Sequence, residues 1–375
     1  MRLLQIGFLD PYENIGGVER YIQNLSIGLH STFGYRVDIL VAGPENSEKE
    51  TDAGRVITLK VPFFGTRYFF LAKYFYARRV RAFIRASMQE YDLFHFHGDN
   101  GFIGRYFAGK SILTLHGVAR TTSSMTKRIT SALPAKIEVN NVKLAKEIFA
   151  VSSEAGNFFT QYTGTQIKVI KQSIDTEFYR PVSPAERQLK REHLCVSTDQ
   201  VVGLIVGTDP VRKGLDIAIK AVEQLQRDDL TLFAIGFPTK EHSGPRIRIL
   251  GRVDEPTKLA YLQIADFFIF PSHKEGFPIS VLEAASVGLP LIVSKNSNAS
   301  ELGETVPYFD EIDSFDPSDY RKGIERFIEF SEKNGIADII QDRKLLEQYS
   351  VSTLVKIYSN AYKSLLAPPT DLLRV

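Results

Sequence analysis

Short apolar segments alternate with stretches of helical spacing along most of the chain, and this alternation constrains the fold more than any other feature. In the first half, segments rich in Val, Ile, Leu and Phe predict strands at 3–9, 36–42, 56–61, 93–97, 111–116, 147–152 and 168–172. Apolar strands separated by helices are typical of a parallel sheet with helices on both faces. The first half is therefore predicted to be a doubly wound α/β domain.

The same pattern begins again in the second half, with strands predicted at 201–207, 231–236, 246–251, 267–272 and 290–294. Between the halves, residues 173–188 are polar and contain proline, which indicates a linker and then a helix start. Beyond Gly303 the strand signal fades, and 319–366 is predicted to be mainly helical. We expect two Rossmann-like domains, residues 1–172 and 173–349, facing a cleft at the carboxyl ends of their strands.

Composition restricts the class of protein. The 375 residues are 43% hydrophobic and 24% charged, as in ordinary globular proteins. No apolar run is long enough to span a membrane and no signal-peptide pattern opens the sequence, so we expect a cytoplasmic protein. The single cysteine, Cys195, excludes an internal disulfide and a multi-cysteine metal site, and predicts a small buried residue or an inert surface thiol.

Charge is divided unevenly between the halves. Residues 1–172 contain 22 Lys and Arg against 14 Asp and Glu, whereas residues 173–375 contain 24 against 30. The two halves are therefore expected to face different partners.

Two glycines, Gly16 and Gly17, precede an apolar helical stripe after the first predicted strand. Glycines at a helix start let the backbone approach a ligand, and the free N–H groups favour an anion such as phosphate. A plain turn explains the same glycines equally simply.

Three histidines lie at strand ends in the first half. His95 and His97 alternate on one face of a strand, which would suit a metal ion, but no nearby carboxylate or cysteine completes a ligand set. His116 ends the next strand before a glycine and is the better candidate to reach a substrate hydroxyl or phosphate, with a structural hydrogen bond as the alternative.

In the second half, Arg212 and Lys213 follow strand 201–207 on a loop that enters a helix near Gly214. A lysine here would neutralise a diphosphate, and the simpler alternative is a solvated pair of basic residues.

Two glutamates eight positions apart lie in the segment EGFPISVLE. Glu275 is predicted on the loop beyond strand 267–272, and Glu283 in the helix predicted at 279–288. The N–H groups of Gly276 and Phe277 are available at the turn, and Pro278 suits an early helix position. A carboxylate that holds ribose hydroxyls beside a helix N-terminus is a pattern of nucleotide sites, which leaves Glu275 for a second polyol.

The motifs together resemble those of the family-4 retaining glycosyltransferases of the GT-B fold. EGFPISVLEAASVGLPLIVS resembles the family's E-x7-E signature, and Gly16-Gly17-Val18-Glu19 its Gly-Gly-x-Glu loop. LTLHG, AVSS and IDTEFYRP resemble the strand with the active-site histidine, the serine pair and the interdomain linker. The resemblance implies that the last helix, residues 350–375, crosses back to the N-terminal domain.

The resemblance also implies roles for individual residues. Glu275 would bind donor-sugar hydroxyls, Glu283 the ribose, and His116 the sugar or acceptor. The diphosphate and sugar would be held by Gly16, Gly17, Arg212, Lys213, Gly276, Phe277, Pro278 and Ile279. Glu275, Lys213 and His116 are the predicted catalytic residues.

This sequence departs from the family pattern at three places. Thr208 follows Gly207 where the family commonly has an arginine, and Arg212 is a candidate replacement. Asn296-Ser297-Asn298 stands where a Gly-Gly pair is usual, and Gln172-Ser173 where the linker has Asn-Gly.

The predicted function is transfer of a hexose, with retention, from a nucleotide-diphosphate sugar to a glycan, lipid-linked or small-molecule acceptor. Neither a metal nor another cofactor is expected, because no Asp-x-Asp motif is found. Two alternatives remain open: a sugar-nucleotide epimerase of the same fold, and an inactive subunit that binds nucleotide sugars.

Residues 60–90 contain seven Lys and Arg, one Glu and nine Phe and Tyr. Interleaved basic and aromatic residues favour a helix on an anionic membrane surface, which predicts a peripheral membrane protein. A core helix with a basic edge is the alternative. Nucleic acid is not an expected partner, since no recognition module accompanies the segment.

Overall fold

The computed structural model describes residues 1–13, 16–117, 125–238, 244–334 and 343–367. The chain divides into two units: Met1–Ser173 with Tyr349–Val375, and Ile174–Gln348. Each unit contains one sheet that is covered by helices, so the predicted α/β class with two Rossmann-like domains is confirmed.

The first unit contains an eight-stranded sheet with the order β3-β4-β2-β1-β5-β6-β7-β8. All neighbours are parallel except β3 and β4. Its strands are β1 (Arg2–Ile6), β2 (Arg36–Gly43), β3 (Ser47–Thr51), β4 (Gly54–Lys60), β5 (Leu93–His97), β6 (Ser111–Leu115), β7 (Glu147–Ala150) and β8 (Lys168–Val169). Its first helices are α1 (Gly17–Phe33), α2 (Phe69–Ser87), α3 (Met125–Leu144) and α4 (Ser153–Thr163).

The second unit contains a six-stranded parallel sheet with the order β11-β10-β9-β12-β13-β14. Its helices are α5 (Pro184–His193), α6 (Leu215–Glu223), α7 (Glu255–Ile264), α8 (Ile279–Ser286) and α9 (Pro317–Asn334). Its strands are β9 (Val201–Val206), β10 (Leu230–Ile235), β11 (Ile247–Gly251), β12 (Phe267–Phe270), β13 (Leu291–Ser294) and β14 (Phe309–Ile312). In α5, Ser183 and Glu186 form a capping box at the helix start expected within 173–188.

The last helix, α10 (Val351–Leu366), belongs to the first unit although it follows the second in sequence. It packs on α1, where a Cβ atom at Gly28 would lie only 2.6 Å from a methyl of Val355. Leu354, Val355 and Tyr358 enter the same buried cluster as Leu25 of α1. Residues 368–375 of the predicted crossing segment, and 335–342 of the predicted helical region, lie outside the described residues.

Two strands were missed by the sequence patterns. β3 is an exposed edge strand with the polar sequence SEKET, and it pairs antiparallel with β4. Because neither of its faces is buried, it lacks the alternation of apolar and polar residues from which strands were predicted. β14 lies beyond Gly303, where the prediction that the strand signal fades was wrong, because its four residues gain strand structure from pairing with β13.

Several predicted strands extend too far at their carboxyl ends. β7 ends at Ala150 although Val151 and Ser152 are buried, and Ser152 instead caps α4 by accepting a hydrogen bond from the N–H of Ala155. Burial continues past the last ladder bond, so an apolar run overestimates strand length. These buried strand ends position the candidate functional residues.

Candidate functional site

Glu275 lies beyond the carboxyl end of β12 in the second unit, in contact with two cations. Its Oε1 atom is 2.7 Å from Nη1 of Arg212 and 2.8 Å from Nζ of Lys213. The hydroxyl of Ser272 donates to the same oxygen at 2.7 Å. Residues predicted separately from β9 and β12 are therefore brought together, because these strands are neighbours in the sheet.

The backbone around Lys213 requires glycine at two positions. Gly214 has φ 69°, and a Cβ atom there would lie 2.2 Å from the carbonyl oxygen of Pro271. A Cβ atom at Gly207 would lie 2.7 Å from Cγ of Lys213. Lys213 therefore lies against the end of β12, with its ammonium 4.6 Å from the ring centre of Phe270. Burial lowers the pKa of Lys213, and the charge of Glu275 opposes that effect.

The backbone of Glu275 is held by the loop that departs from the family pattern. The N–H of Glu275 donates to the carbonyl of Asn296 at 3.3 Å, and Nδ2 of Asn298 donates to the carbonyl of Glu275 at 2.6 Å. Asn298 has φ 55°, a left-handed conformation that suits Gly and is tolerated by Asn. This loop therefore contains a left-handed residue without having a glycine at that position.

The turn after Glu275 leads directly into α8. Gly276, Phe277 and Ile279 are half-buried, and Pro278 is buried. The helix begins at Ile279, so Pro278 is the N-cap with φ −86° and ψ 99°, and the prediction that it occupies an early helical position was wrong by one residue. The carbonyl of Pro278 accepts the first hydrogen bonds of α8, which fixes the turn next to Glu275.

Glu283 occupies a second cluster in the same unit. Its Oε1 atom accepts hydrogen bonds from Nζ of Lys258 at 2.7 Å and from the hydroxyl of Tyr179 at 3.1 Å. Glu255 contacts both of these donors. Sequence reasoning missed Lys258, which carries no motif, whereas Tyr179 lies in the linker segment IDTEFYRP. A carboxylate has about four lone-pair sites, so the second oxygen of Glu283 can still accept from a diol.

Three histidines form a buried polar cluster in the first unit. Nδ1 of His97 lies 2.9 Å from Nε2 of His116, and Nε2 of His97 lies 2.8 Å from Oε1 of Gln5. His95 stacks on His97 and uses its ring nitrogens on the hydroxyls of Tyr362 and Thr114. The pair predicted to share a strand face does so, but all four nitrogens have protein partners.

Burial determines the charge of this cluster. It lowers the pKa of His95 to about 3 and the pKa of His116 to about 3, and it lowers the pKa of His97 well below its usual range. The three rings are therefore neutral at pH 7. Among the described residues, no group of three or more His, Cys, Asp or Glu side chains is arranged to hold a metal ion.

A pocket of about 350 Å³ opens beside His116 within the first unit. Its polar lining includes Glu19, Lys73, His97, Asp99, Asn100 and His116. The pocket combines neutral acceptors with an ion pair between Lys73 and Asp99 at 2.5 Å. Such a lining suits a small polar ligand.

Gly16 and Gly17 lie at the N-terminus of α1, Gly16 as the N-cap and Gly17 as the first helical residue. A Cβ atom at Gly16 would lie 2.1 Å from Oε2 of Glu19, so glycine makes room for that carboxylate. Burial raises the pKa of Glu19. The sequence had predicted an external anion at this helix end, and a carboxylate of the chain itself lies close to it.

Cys195 is exposed, which agrees with the predicted surface thiol and not with the predicted buried residue. In the part of the chain that the structure describes, no helix combines the length and apolar character needed to cross a bilayer.

Two family models match the chain. The model described as Glycosyltransferase Family 4 matches residues 15–178, and the model described as Glycosyl transferases group 1 matches residues 200–329. The chain belongs to the family-4 glycosyltransferases. The predicted site residues Gly16, Gly17 and His116 lie within the first matched region, and those from Arg212 to Glu283 lie within the second.

Curated relatives of this family-4 glycosyltransferase match it to different extents. A phosphatidyl-myo-inositol mannosyltransferase from Mycobacterium leprae is 25% identical over 313 residues, which cover 78% of each protein. Three other relatives, 26–33% identical, match over only 36–41% of their own length. The chain thus aligns with about two fifths of those three proteins.

Several solved structures resemble this chain over nearly its whole length. Sucrose-phosphate synthase from Thermosynechococcus elongatus has a TM-score of 0.76 at 17% identity, covering 97% of this chain and 98% of that chain. Anabaena Alr3699/HepE in complex with UDP and glucose has a TM-score of 0.70 at 19% identity, covering 97% and 100%. At these identities the likeness shows the fold, which is the predicted GT-B fold.

Proposed function

We propose that this protein transfers a hexose, with retention of anomeric configuration, from a nucleotide-diphosphate sugar to a hydroxyl of a glycan, lipid-linked or small-molecule acceptor. The observation that carries the proposal is the contact of Glu275 with both Arg212 and Lys213. A carboxylate between two cations at the end of a parallel sheet provides acceptors for sugar hydroxyls and donors for phosphate oxygens in one place.

Lys213 is the proposed electrostatic catalyst. Cleavage of the sugar–phosphate bond leaves an oxocarbenium-like carbon and increases the negative charge on the diphosphate. The Lys213 ammonium has three N–H donors, so it can remain on Glu275 and also donate to a phosphate oxygen. Held in place before the reaction, it stabilises the developing charge without reorganisation. The N–H groups of Gly276 and Phe277 are proposed to assist.

Retention is proposed to follow from attack on the face that the diphosphate leaves. The acceptor hydroxyl bonds to the anomeric carbon as the carbon–oxygen bond to phosphate breaks, and the departing phosphate oxygen takes the hydroxyl proton. Glu275 and His116 bind hydroxyl groups and take no part in bond formation. No metal ion is proposed, because the diphosphate charge is met by side chains and N–H groups.

Arg212 is proposed to replace the arginine that the family commonly has at the position of Thr208. Thr208 is exposed, whereas Arg212 contacts Glu275 from the same loop. Its guanidinium has five N–H donors, so one can remain on Glu275 while others bind phosphate.

The first test is identification of the donor by thermal shift. A ligand that binds only the folded state raises the midpoint, and the stabilisation grows with the logarithm of its concentration divided by its dissociation constant. UDP-glucose is the first probe, since a solved neighbour of the same fold is a complex with UDP and glucose. Product formation with the best donor and the anomeric configuration of the product, from its proton NMR coupling, then test transfer and retention.

Turnover of Glu275→Ala and Lys213→Ala tests the assignment of the site. Both are expected to lose at least about 100-fold in kcat/KM. Near wild-type rates in both variants, with normal folding, contradict the assignment. An inverted product contradicts retention alone.

We also propose that the protein binds the surface of anionic membranes through residues 60–90. α2 buries Ala72, Tyr76, Val80 and Ile84 in the core of the first unit, so this segment has the core face of the alternative interpretation. The opposite face of α2 exposes basic residues and Phe75, and the segment before the helix exposes Phe63 and Tyr68. An apolar groove of about 620 Å³ beside Phe75 is flanked by Lys60, Arg78 and Arg79.

Cosedimentation with vesicles tests the membrane contact. We expect binding to vesicles with anionic lipid at low salt, weaker binding at physiological salt, and little to purely zwitterionic vesicles. Arg78→Gln with Arg81→Gln should weaken it. Lys168→Gln, an exposed lysine elsewhere in the same unit, is the control. Equal indifference to all vesicles contradicts the proposal.

A further inference from the structure

A chain of buried hydrogen bonds runs from α1 to the ring of His116. The hydroxyl of Ser26 donates to the carbonyl of Ile22 at 2.8 Å, and Nε2 of Gln5 donates to Ser26 Oγ at 3.0 Å. Oε1 of Gln5 lies 2.8 Å from Nε2 of His97, and Nδ1 of His97 lies 2.9 Å from Nε2 of His116. Gln5, Ser26 and His97 are fully buried, so water does not compete for these bonds.

The direction of donation in this chain follows from the hydroxyl at its start. Ser26 has one proton and gives it to Ile22, so Ser26 accepts from the amide N–H of Gln5. The amide oxygen of Gln5, which can only accept, therefore faces His97. A neutral His97 must carry its proton on Nε2 and present a lone pair at Nδ1.

The same logic extends to His116. The lone pair at Nδ1 of His97 accepts from Nε2–H of His116, so the remaining lone pair of His116 is at Nδ1. That atom is buried and has no hydrogen-bond partner among the described residues. The ring forms part of the wall of the 350 Å³ pocket.

We propose that His97 and Gln5 are positioning residues that fix the tautomer of His116, so that Nδ1 accepts a hydrogen bond from a substrate hydroxyl. The hydroxyl belongs to the sugar or the acceptor alcohol, and this part rests on the proposed function. Gln5 acts through His97, and His97 acts through His116; neither needs to touch the substrate. This hydrogen-bond network adds Gln5 and His97 to the site, and no sequence motif had linked these two residues.

The fixed tautomer gives the pocket a chemical preference. A neutral ring with a lone pair at Nδ1 attracts an O–H group and repels a carbonyl, carboxylate or phosphate oxygen. A site built to bind a hydroxyl discriminates strongly against an analogue that lacks it, because its own polar group is then left unpaired. The preferred ligand at this point is an uncharged polyol.

Reversing the donors and acceptors along these hydrogen bonds predicts the opposite tautomer of His116. If the amide of Gln5 were reversed, its NH₂ group would face His97, the proton of His97 would lie on Nδ1, and His116 would carry its proton on Nδ1. His116 would then be a donor towards the pocket. That arrangement also puts the Gln5 oxygen next to Ser26, which would have to give up Ile22 to donate to it.

Nitrogen NMR of the whole protein labelled with ¹⁵N-histidine distinguishes the two hydrogen-bond arrangements directly, because they require different tautomers of His116. Long-range ¹H–¹⁵N spectra distinguish a protonated ring nitrogen from one with a lone pair. The chain has seven histidines, and the signals of two are assigned by their loss in His97→Gln and His116→Gln. We expect Nε2–H on both rings at pH 7. A proton on Nδ1 of His116 overturns the proposal.

Gln5→Met tests the consequence for catalysis. Methionine is similar in size but its sulfur is only a weak acceptor for the N–H of His97, so the His116 tautomers should mix and kcat/KM should fall roughly 10- to 100-fold. The dissociation constant for UDP should not change, because the proposed contacts of Gln5 do not involve the diphosphate. Gln263→Met, another buried glutamine, located on α7, is the control and should leave the tautomers unchanged.

The outcomes separate this proposal from the proposed function. Unchanged tautomers and unchanged kcat/KM in Gln5→Met overturn the positioning role, as does an equal loss of UDP affinity and kcat/KM. If Gln5→Met does not fold, the wild-type spectrum alone decides the tautomer. Absence of glycosyl transfer from every donor, with Nε2–H found on His116, would refute the proposed function and leave the tautomer assignment standing.

Discussion

Glu275 in the second unit lies between two cations, whereas His116 in the first unit is hydrogen-bonded to another neutral ring, that of His97. Arg212 and Lys213 both contact the Glu275 carboxylate, and Arg212 is exposed. His95, His97 and His116 are kept neutral by burial, and His97 and His95 are satisfied by an amide, hydroxyls and another ring. Glu275 is thus held by ion pairs in one unit, whereas His116 is held by hydrogen bonds between neutral side chains in the other.

The difference matches the two chemical tasks of the proposed reaction. A leaving diphosphate gains negative charge, which cations stabilise. A sugar or acceptor hydroxyl stays uncharged until its proton leaves, and a neutral acceptor orients it without adding a charge to the first unit's pocket. Substitutions at Glu275 and its cations should therefore have different effects on activity and stability from substitutions around His116.

The largest expected effect is on catalysis, from removing the ammonium of Lys213. Lys213→Met keeps the apolar stem but loses the charge, and kcat/KM with the identified donor should fall about 100- to 1,000-fold. Lys220→Met is the matched control, because Lys220 is exposed on α6 and faces Asp216 at 3.8 Å. Steady-state kinetics of both variants decide the point, and equal rates would remove Lys213 from the mechanism.

The next effect is on stability, from removing the carboxylate between the cations. Glu275→Leu leaves Arg212 and the buried Lys213 without their partner, and we expect the free energy of unfolding to fall by about 3 kcal/mol. Urea unfolding measures it. Glu329→Leu, an exposed glutamate on α9, should change the free energy by less than about 0.5 kcal/mol.

A double variant sharpens that prediction. Adding Lys213→Met to Glu275→Leu removes the uncompensated charge, so part of the lost stability should return. Activity should not return with it. If the double variant is as unstable as the sum of the singles, packing rather than charge determines the cost of the Glu275 change.

Sequence patterns located the charged site better than the neutral one. Glu275, Lys213 and Arg212 follow buried strands, and the end of a parallel strand is where side chains of neighbouring strands meet, so their proximity was predictable. Their contacts were not: the shared Oε1 atom depends on the close approach of Gly214 to Pro271, which no local pattern encodes.

The neutral cluster could be predicted only in part. His95, His97 and His116 were identified from strand ends, but Gln5 and Ser26 look like ordinary polar residues in an apolar strand and a helix. Their role depends on β1 lying next to β5 and on α1 covering that face, which are long-range consequences of the strand order. Lys258 was missed for the same reason, since α7 carries no motif that points to Glu283.

The buried histidines of the first unit should make the stability of the protein depend on pH. Burial holds the pKa of His95 at about 3, against an unfolded value near 6.5, so the unfolded chain binds protons first as pH falls. The stability from each such ring is complete above pH 6.5 and declines below it. At pH 5 the free energy of unfolding should be lower by about 2 kcal/mol for each fully buried ring.

Urea unfolding between pH 7.5 and pH 5 measures this slope. His95→Gln should flatten it, whereas His30→Gln, at an exposed histidine of α1, should not. Asp38 acts in another range: burial would raise its pKa, but hydrogen bonds from Arg55, Arg2 and Tyr91 outweigh burial and lower it to about 2. Its contribution is lost only below about pH 3.8. A flat wild-type curve down to pH 5 would show that the rings are charged in the folded state.

The smallest effect concerns the hydroxyl that joins the neutral cluster to α10. The Tyr358 hydroxyl lies 2.9 Å from the hydroxyl of Tyr21 and 2.5 Å from Oγ1 of Thr114, which in turn bonds His95. Tyr358→Phe keeps the buried ring but leaves those groups one partner short, at a cost of about 1 kcal/mol in the free energy of unfolding. Tyr162→Phe, at a half-exposed tyrosine of α4, is the control.

The activity of Tyr358→Phe carries the sharper information about the two sites. The bonds of Tyr358 lead to His95, and those of Gln5 lead to His116 through His97. If the two branches are independent, Tyr358→Phe should lower stability while the His116 tautomer and kcat/KM stay near their wild-type values. A change of tautomer in this variant would mean that the stacking of His95 on His97 couples the branches, and that α10 contributes to the orientation of the substrate hydroxyl.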